Sequence, residues 1–486
     1  MNTLNKLAAI ALAVVVLFSC NKNKDVAEAE LTSFIPSESD LVLAVNTANL
    51  KTKGKKINAL VESKISKQAE YIKSIMSSVD YAYLVATQKD EKTNVNVFLK
   101  VNDINSLTEG KTSAFKTPSG LDVYAIPDAD SPKLYASSKD GIATMIVVVE
   151  DQLTKEEVGL GIDQNLTKPE KSLLDTDDQF GSVLSDKKDI SFWTNGSIQD
   201  QEQLDILGQL LPLQSILKDL DTEGSVTTST VDFEKGELLF AADYFGNENY
   251  NKIFKPMAKA KLEQSTIDQM KIENPFLVLT GSVDFKEVVE YLKEKEVDKE
   301  IDENLDGFLT TDELGAIFNG DILMAAGNLK TAEQDADIEV VLGLQDETKA
   351  QAFLDKLVAD EMLEAKDGHY LIANGMVNVL VSIQGDALVI AKENTFGTAL
   401  VKGEGKSNTK IADKLAVSSY IWLDVKQVMS DPMVAMFAGG QVPQLSGIES
   451  IEFTTKSDDE STGHGSIKFT DKEQNALDII ADMAQL

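Results

Sequence analysis

Apolar residues follow two rhythms along this chain. Short runs of Val, Ile, Leu and Phe bounded by polar residues, such as Leu41–Val45, Val95–Leu99, Leu277–Leu279 and Ile338–Leu342, predict strands. Elsewhere apolar residues return every three or four positions. Phe285, Val288, Val289 and Leu292, behind an Asp284/Glu287 cap, predict one helix, and Leu314, Ile317 and Phe318 predict another. A helix is also expected after Asn247, and one from about Asp471, where Gln474 completes a cap and Leu477, Ile480 and Ala484 mark an apolar face. Lys366-Asp367-Gly368 and Gln384-Gly385-Asp386 carry the residues of hairpin turns.

These patterns occur twice. Leu41–Val45 and Leu277–Gly281 each open a strand leading into a helix, 236 residues apart. Phe192-Trp193-Thr194 matches Ile421-Trp422-Leu423 at 229, and Gly208–Pro212 matches Gly440–Pro443 at 232. Landmarks in one order at nearly one offset mark an internal repeat. The expected fold is α+β: two homologous lobes, 34–270 and 271–486, each a mostly antiparallel sheet with helices on one face. The boundary is placed near Ser265–Asn274. A single sheet running through both lobes is the alternative.

Composition narrows the function. The chain carries 46 basic residues, all Lys, against 80 acidic ones, for a net charge of −34. Such a balance repels phosphate, and no basic patch gathers, which argues against nucleic acid as a partner. Without Arg there is no forked recognition of phosphate or carboxylate. One Cys and two His cannot build a thiolate–imidazole zinc site.

The N-terminus reads as an address. Lys6 precedes an unbroken apolar run from Leu7 to Phe18, too short for a spanning helix and fit for a signal peptide over 1–20. Leu17-Phe18-Ser19-Cys20 resembles a bacterial lipobox, so Cys20 is the expected lipidation site, with a polar tether over 21–33. The expected partner is therefore a membrane, reached through a lipid anchor rather than a span. Asn21 instead of Asp favours the outer membrane, on either face. The opening Phe34-Ile35-Pro36-Ser37-Glu38-Ser39-Asp40, together with Asn319-Gly320-Asp321-Ile322 at the head of a later strand, resembles an uncharacterised family of Bacteroidota lipoproteins. That resemblance implies lipid anchoring and an α+β fold, and brings no activity or catalytic residue.

One loop carries chemistry. Residues 302–313 match an EF-hand, with Asp302, Asn304 and Asp306 at positions 1, 3 and 5 and Gly307 at the sharp turn. Phe308 offers its carbonyl at position 7, Thr310 holds a water at 9, and Glu313 closes the shell at 12. Leu309 at position 8 provides the apolar contact. With the flanking helices this predicts a calcium-binding helix-loop-helix over 284–318. The alternative is a solvated acidic turn in which Thr310–Glu313 only caps the next helix. No second loop pairs with it, since Ser66–Ser77 at the repeat offset is not acidic in pattern. A lone hand binds weakly, at roughly 10⁻⁴–10⁻³ M.

Other candidates carry less. Gly403-Glu404-Gly405-Lys406-Ser407 lacks the glycine a phosphate loop needs and reads as a turn. His369 and His464 lie beside glycines with no nucleophile motif near. Trp193 and Trp422 hold duplicated positions in apolar strands and read as core. The sequence thus predicts a non-enzymatic envelope lipoprotein with Ca²⁺. A glycan-binding or glycan-hydrolysing lipoprotein and a two-lobed assembly or chaperone-like factor are the alternatives.

Overall fold

The computed structural model describes residues 31–54, 79, 81–89, 92–101, 104–108, 112–126, 133–148, 153–196, 223–304, 309–330, 335–373, 378–430, 445–457 and 461–484. The protein is α+β and built on a large antiparallel sheet. Two compact units divide it, Met1–Asp200 with Thr222–Tyr244 and Asp471–Leu486 in one, Gln201–Asp221 with Phe245–Thr470 in the other.

This division does not coincide with a cut at 270/271. The C-terminal helix Ala476–Ala484 belongs to the first unit. There the Asn475 amide nitrogen donates to the Phe233 carbonyl at 2.7 Å, Gly236 N–H donates to the Gln474 carbonyl at 2.8 Å, and Leu477 and Ile479 are buried. Leu31 is also fully buried, so packed structure begins before Phe34, inside the segment expected as tether.

The strands of the first unit are β1 (Leu41–Asn46), β2 (Tyr81–Lys89), β3 (Lys92–Lys100), β4 (Phe115–Lys116), β5 (Asp122–Ile126), β6 (Lys133–Lys139), β7 (Ile142–Val148), β8 (Ile190–Asn195), β9 (Val226–Glu234) and β10 (Glu237–Phe245). β1 lies between β2 and β8; β3, β7, β6 and β5 follow beyond β2, and β9 lies beyond β8. Helix α1 (Thr47–Lys53) is capped by Asn46, and α2 (Lys155–Asn165) by a Thr154/Glu157 box. Val42, Tyr83, Phe98 and Ile146 share one face, where Val158 and Ile162 of α2 close over them. Trp193 packs edge-on against Phe180 in this core, as its place in an apolar strand predicts.

The second unit holds β11 (Pro275–Ser282), β12 (Phe318–Lys330), β13 (Asp335–Leu344), β14 (Glu364–Lys366), β15 (His369–Ala373), β16 (Asn378–Ile383), β17 (Ala387–Lys392), β18 (Ser419–Asp424), β19 (Ile448–Ser457) and β20 (Ser461–Phe469). Their pairings repeat those of the first ten strands in the same order. The register repeats as well: Val42 stands opposite Trp193, and Val278 opposite Trp422. The hairpins at 366–368 and 384–386 form where turn residues predicted them, with Gly368 and Gly385 at positive φ. The landmarks at 208–212 and 440–443 lie outside the described residues. Four helices of this unit matter below: α3 (Phe285–Glu294), α4 (Asp298–Asn304), α5 (Thr311–Ile317) and α6 (Glu347–Ala359).

Candidate functional site

The candidate calcium segment is bracketed by short helices. Asp284 accepts the Glu287 N–H at 3.3 Å and starts α3, whose Val289 and Leu292 are buried. The incoming arm is not one helix running into the loop. α3 stops at Lys295, where Glu296 turns to φ 56° and Val297 N–H donates to the Leu292 carbonyl at 3.0 Å. Leu292 and Val297 pack together, completing a Schellman-type stop. The seven-residue α4 then leads into the loop. α5 returns beside α3 because Gly315 lets it approach: a Cβ there would stand 2.9 Å from Val289 Cγ2. Lys293 at the end of α3 pairs with Asp312 in the first turn of α5.

Two of the predicted ligands converge on the start of α5. Asp302 Oδ1 accepts the Thr311 N–H at 2.5 Å and its hydroxyl at 2.6 Å. Glu313 Oε2 accepts the Thr310 N–H at 2.8 Å and its hydroxyl at 3.1 Å, and Thr310 Oγ1 in turn accepts the Glu313 N–H. The first and last carboxylates of the loop therefore bond to consecutive residues. Glu313 sits in a capping box, the arrangement of the alternative reading, and each carboxylate uses one oxygen for these bonds. Asn304 is the last residue of α4, and Leu309 is buried under α5 and α6. Asp306, Gly307 and Phe308 lie outside the described residues, as do Cys20, the signal segment 1–20 and the tether up to residue 30. Among the described residues no three Asp, Glu, His or Cys side chains cluster as a metal-holding group. A cavity of about 430 Å³ opens beside α5, walled by Leu309, Glu313 and Ile317 and, from α6, by Phe353 between Lys349 and Lys356.

Two further ion networks centre on buried carboxylates and join residues distant in sequence. In the first unit Lys53 reaches Asp189, Asp232 and Glu234, with Asp189 fully buried at 2.9 Å. Burial disfavours the Lys53 ammonium, yet its bonds to Asp232 and Asp189 outweigh this and raise its pKa. Burial pushes Asp189 up to about 6 against the Phe233 N–H and Lys53, while Asp232 is held low by Lys53 despite its own burial. The two carboxylates thus titrate as a pair, with Asp189 the one that takes the proton first.

In the second unit Asp321 is buried and accepts from Lys259 Nζ at 2.7 Å, the Glu263 N–H at 2.7 Å and the Ser282 hydroxyl. It follows Gly320, at φ 88°, where a Cβ would stand 2.0 Å from the Val283 carbonyl oxygen. The segment Asn319–Ile322 singled out in the sequence is therefore a tight backbone approach feeding a buried acceptor. Glu339, fully buried, accepts the N–H groups of Lys271 at 3.0 Å and Ile272 at 3.3 Å; burial nonetheless pushes it up to about 7.

His464 is exposed on β20, and His369 Nδ1 lies 3.2 Å from the Asp367 carbonyl in a turn. Gly403 and Gly405 both take positive φ in a turn, as expected for that segment. No helix among the described residues is long and apolar enough to cross a membrane.

Comparison with known proteins gives few neighbours. No curated protein matches significantly. Among solved structures, crystal form III of TP0453 is similar at 13% identity, covering 50% of this chain and 91% of that one with a TM-score of 0.30. Crystal form I of TP0453 is similar at 10% identity over 46% and 80%, with a TM-score of 0.29. The profile of a domain of unknown function, DUF4836, matches residues 144–477. With more than half its length so matched, the chain belongs to the DUF4836 family.

Proposed function

We propose that this protein is a lipid-anchored component of the cell envelope that holds one Ca²⁺ and acts by binding or by structural support rather than by catalysis. The ion is held by Asp302, Asn304, Asp306, the Phe308 carbonyl, Thr310 and Glu313. A hard dication takes oxygen ligands, and three Asp/Glu carboxylates with one amide supply them. The observation that carries this reading is the convergence of Asp302 and Glu313 on Thr311 and Thr310, with Asp302 Oδ2 and Glu313 Oε1 outside the capping bonds. The short α4 and the capped α5 give the loop helical arms on both sides.

Calorimetric titration of the mature chain with Ca²⁺ tests the site. One site at roughly 10⁻⁴–10⁻³ M is expected, lost in both Asp302→Ala and Glu313→Gln. Equal heats from wild type and variants would remove the metal. Anchoring through Cys20 is tested separately: Cys20→Ala moves the protein from the membrane fraction to the soluble one, and unchanged partitioning removes the anchor.

A further inference from the structure

The sheet of the second unit has two apolar faces, and only one is closed. Val278, Leu323, Val341 and Tyr420 lie on the closed face, under Leu262, Ile267, Met270 and Leu415. On the other, the register sets Val340, Met324, Leu279 and Ile421 in one row across β13, β12, β11 and β18. α5 and α6 cover this face at its β16–β17 end, where Ile317 and Leu354 pack with Val381 and Leu388. Beyond that cover the face is open: Ile322 is 49% exposed, Ile338 40%, Ile421 40% and Met324 37%. No residue of the row is charged, in a chain where 26% of residues are. A contiguous apolar surface of this kind marks an interaction site.

We propose that this open face docks a basic amphipathic helix of another protein. Three observations select that occupant. In the first unit the positions corresponding by register to Ile322, Met324 and Ile338 are Ala82, Leu84 and Val95, and the chain itself buries them to 0%, 1% and 2% exposure. Polypeptide is therefore the cover that this architecture uses. The net charge of −34 repels an acidic partner, a second copy of the same chain and an anionic bilayer alike, and attracts a Lys/Arg-rich polar side. The row crosses four strands, about 14 Å at strand spacing, the length of about 10 helical residues.

The probe is a synthetic 18-residue (about 27 Å) helix with a Leu face and a Lys polar side, titrated against the full chain by fluorescence anisotropy at physiological salt. One-to-one binding is expected. The double variant Met324→Ser/Ile421→Ser, with an unchanged melting temperature, weakens it at least about tenfold. Leu160→Ser, at a 52% exposed apolar site of the first unit, leaves it unchanged. Equal affinity for the double variant and wild type overturns the proposal, as does equal binding of the same peptide with Glu replacing Lys. Capture by zwitterionic phosphatidylcholine vesicles that the double variant abolishes overturns it in favour of lipid. A concentration-dependent dimer in sedimentation that the double variant abolishes overturns it in favour of a second copy.

Discussion

The two units place corresponding residues in opposite surroundings. Leu84 on β2 and Met324 on β12 both stand opposite a leucine of the neighbouring strand, Leu43 and Leu279. Leu84 is sealed, while Met324 is more than a third exposed. Ala82 and Ile322 differ in the same way, and so do Val95 and Ile338. The strand programme is written twice, but the layer above the second face is not. Strand pairing and face closure are thus separable: the ladder fixes register through backbone bonds and one closed core, and the other face can stay open without losing the sheet.

The sharpest way to break this comparison is to place a charge on each side of it. Leu84→Asp buries an unpaired carboxylate and is expected to cost about 4–5 kcal/mol in urea unfolding. Met324→Asp, with water at hand, costs about 1 kcal/mol or less. Similar costs at the two positions would end the distinction between closed and open face. Next in size is Lys53→Met, which leaves Asp189 buried beside Asp232 without its cation and destabilises by about 3 kcal/mol. Part of that loss returns as pH falls toward 6, because Asp189 without its cation takes up its proton above the value of about 6 it has beside Lys53, so the gap between variant and wild type narrows on acidification.

Glu339 gives a pH signature to the second unit. Its folded pKa of about 7 lies above the unfolded value of 4.5, so the fold favours the neutral acid. The wild type therefore loses stability as pH rises from 4.5 to about 7, and the penalty is complete above that range. Glu339→Gln removes this slope, with a relative gain of about 3 kcal/mol at pH 8 compared with pH 4. Parallel wild-type and variant profiles would show that the backbone N–H bonds fully offset burial. The smallest effect sharpens the calcium reading: in metal-free buffer, Asp302→Ala loses only the bonds to Thr311 and costs about 1 kcal/mol.

Much of the fold was legible because it is local. Alternating apolar runs gave the strands, and Gly368 and Gly385 gave the hairpins. The repeat landmarks around Trp193 and Trp422 proved to occupy equivalent registers. What escaped depends on residues distant in sequence. Lys53 meets Asp189 across 136 positions and Asp232 across 179, and no window of the sequence contains both ends. Glu339 looked like one acidic residue in a strand, and only the arrival of Lys271 and Ile272 N–H groups explains its burial. Periodicity marked the start of α3 but not its stop, since the break needs Glu296 to enter the left-handed region, where glycine is the usual signal. The open face escaped for the same reason as the ion pairs: an alternating strand shows which residues share a side, not whether anything lies over them.

The membership of Asp471–Leu486 in the first unit has a consequence for synthesis. Domains generally mature in the order in which they are made, N-terminal before C-terminal. Here every residue of the second unit has been translated before the final stretch that the first unit still awaits. The polypeptide that begins earlier is thus completed later, and a nascent chain stopped at Thr470 would carry a whole second unit and an unfinished first.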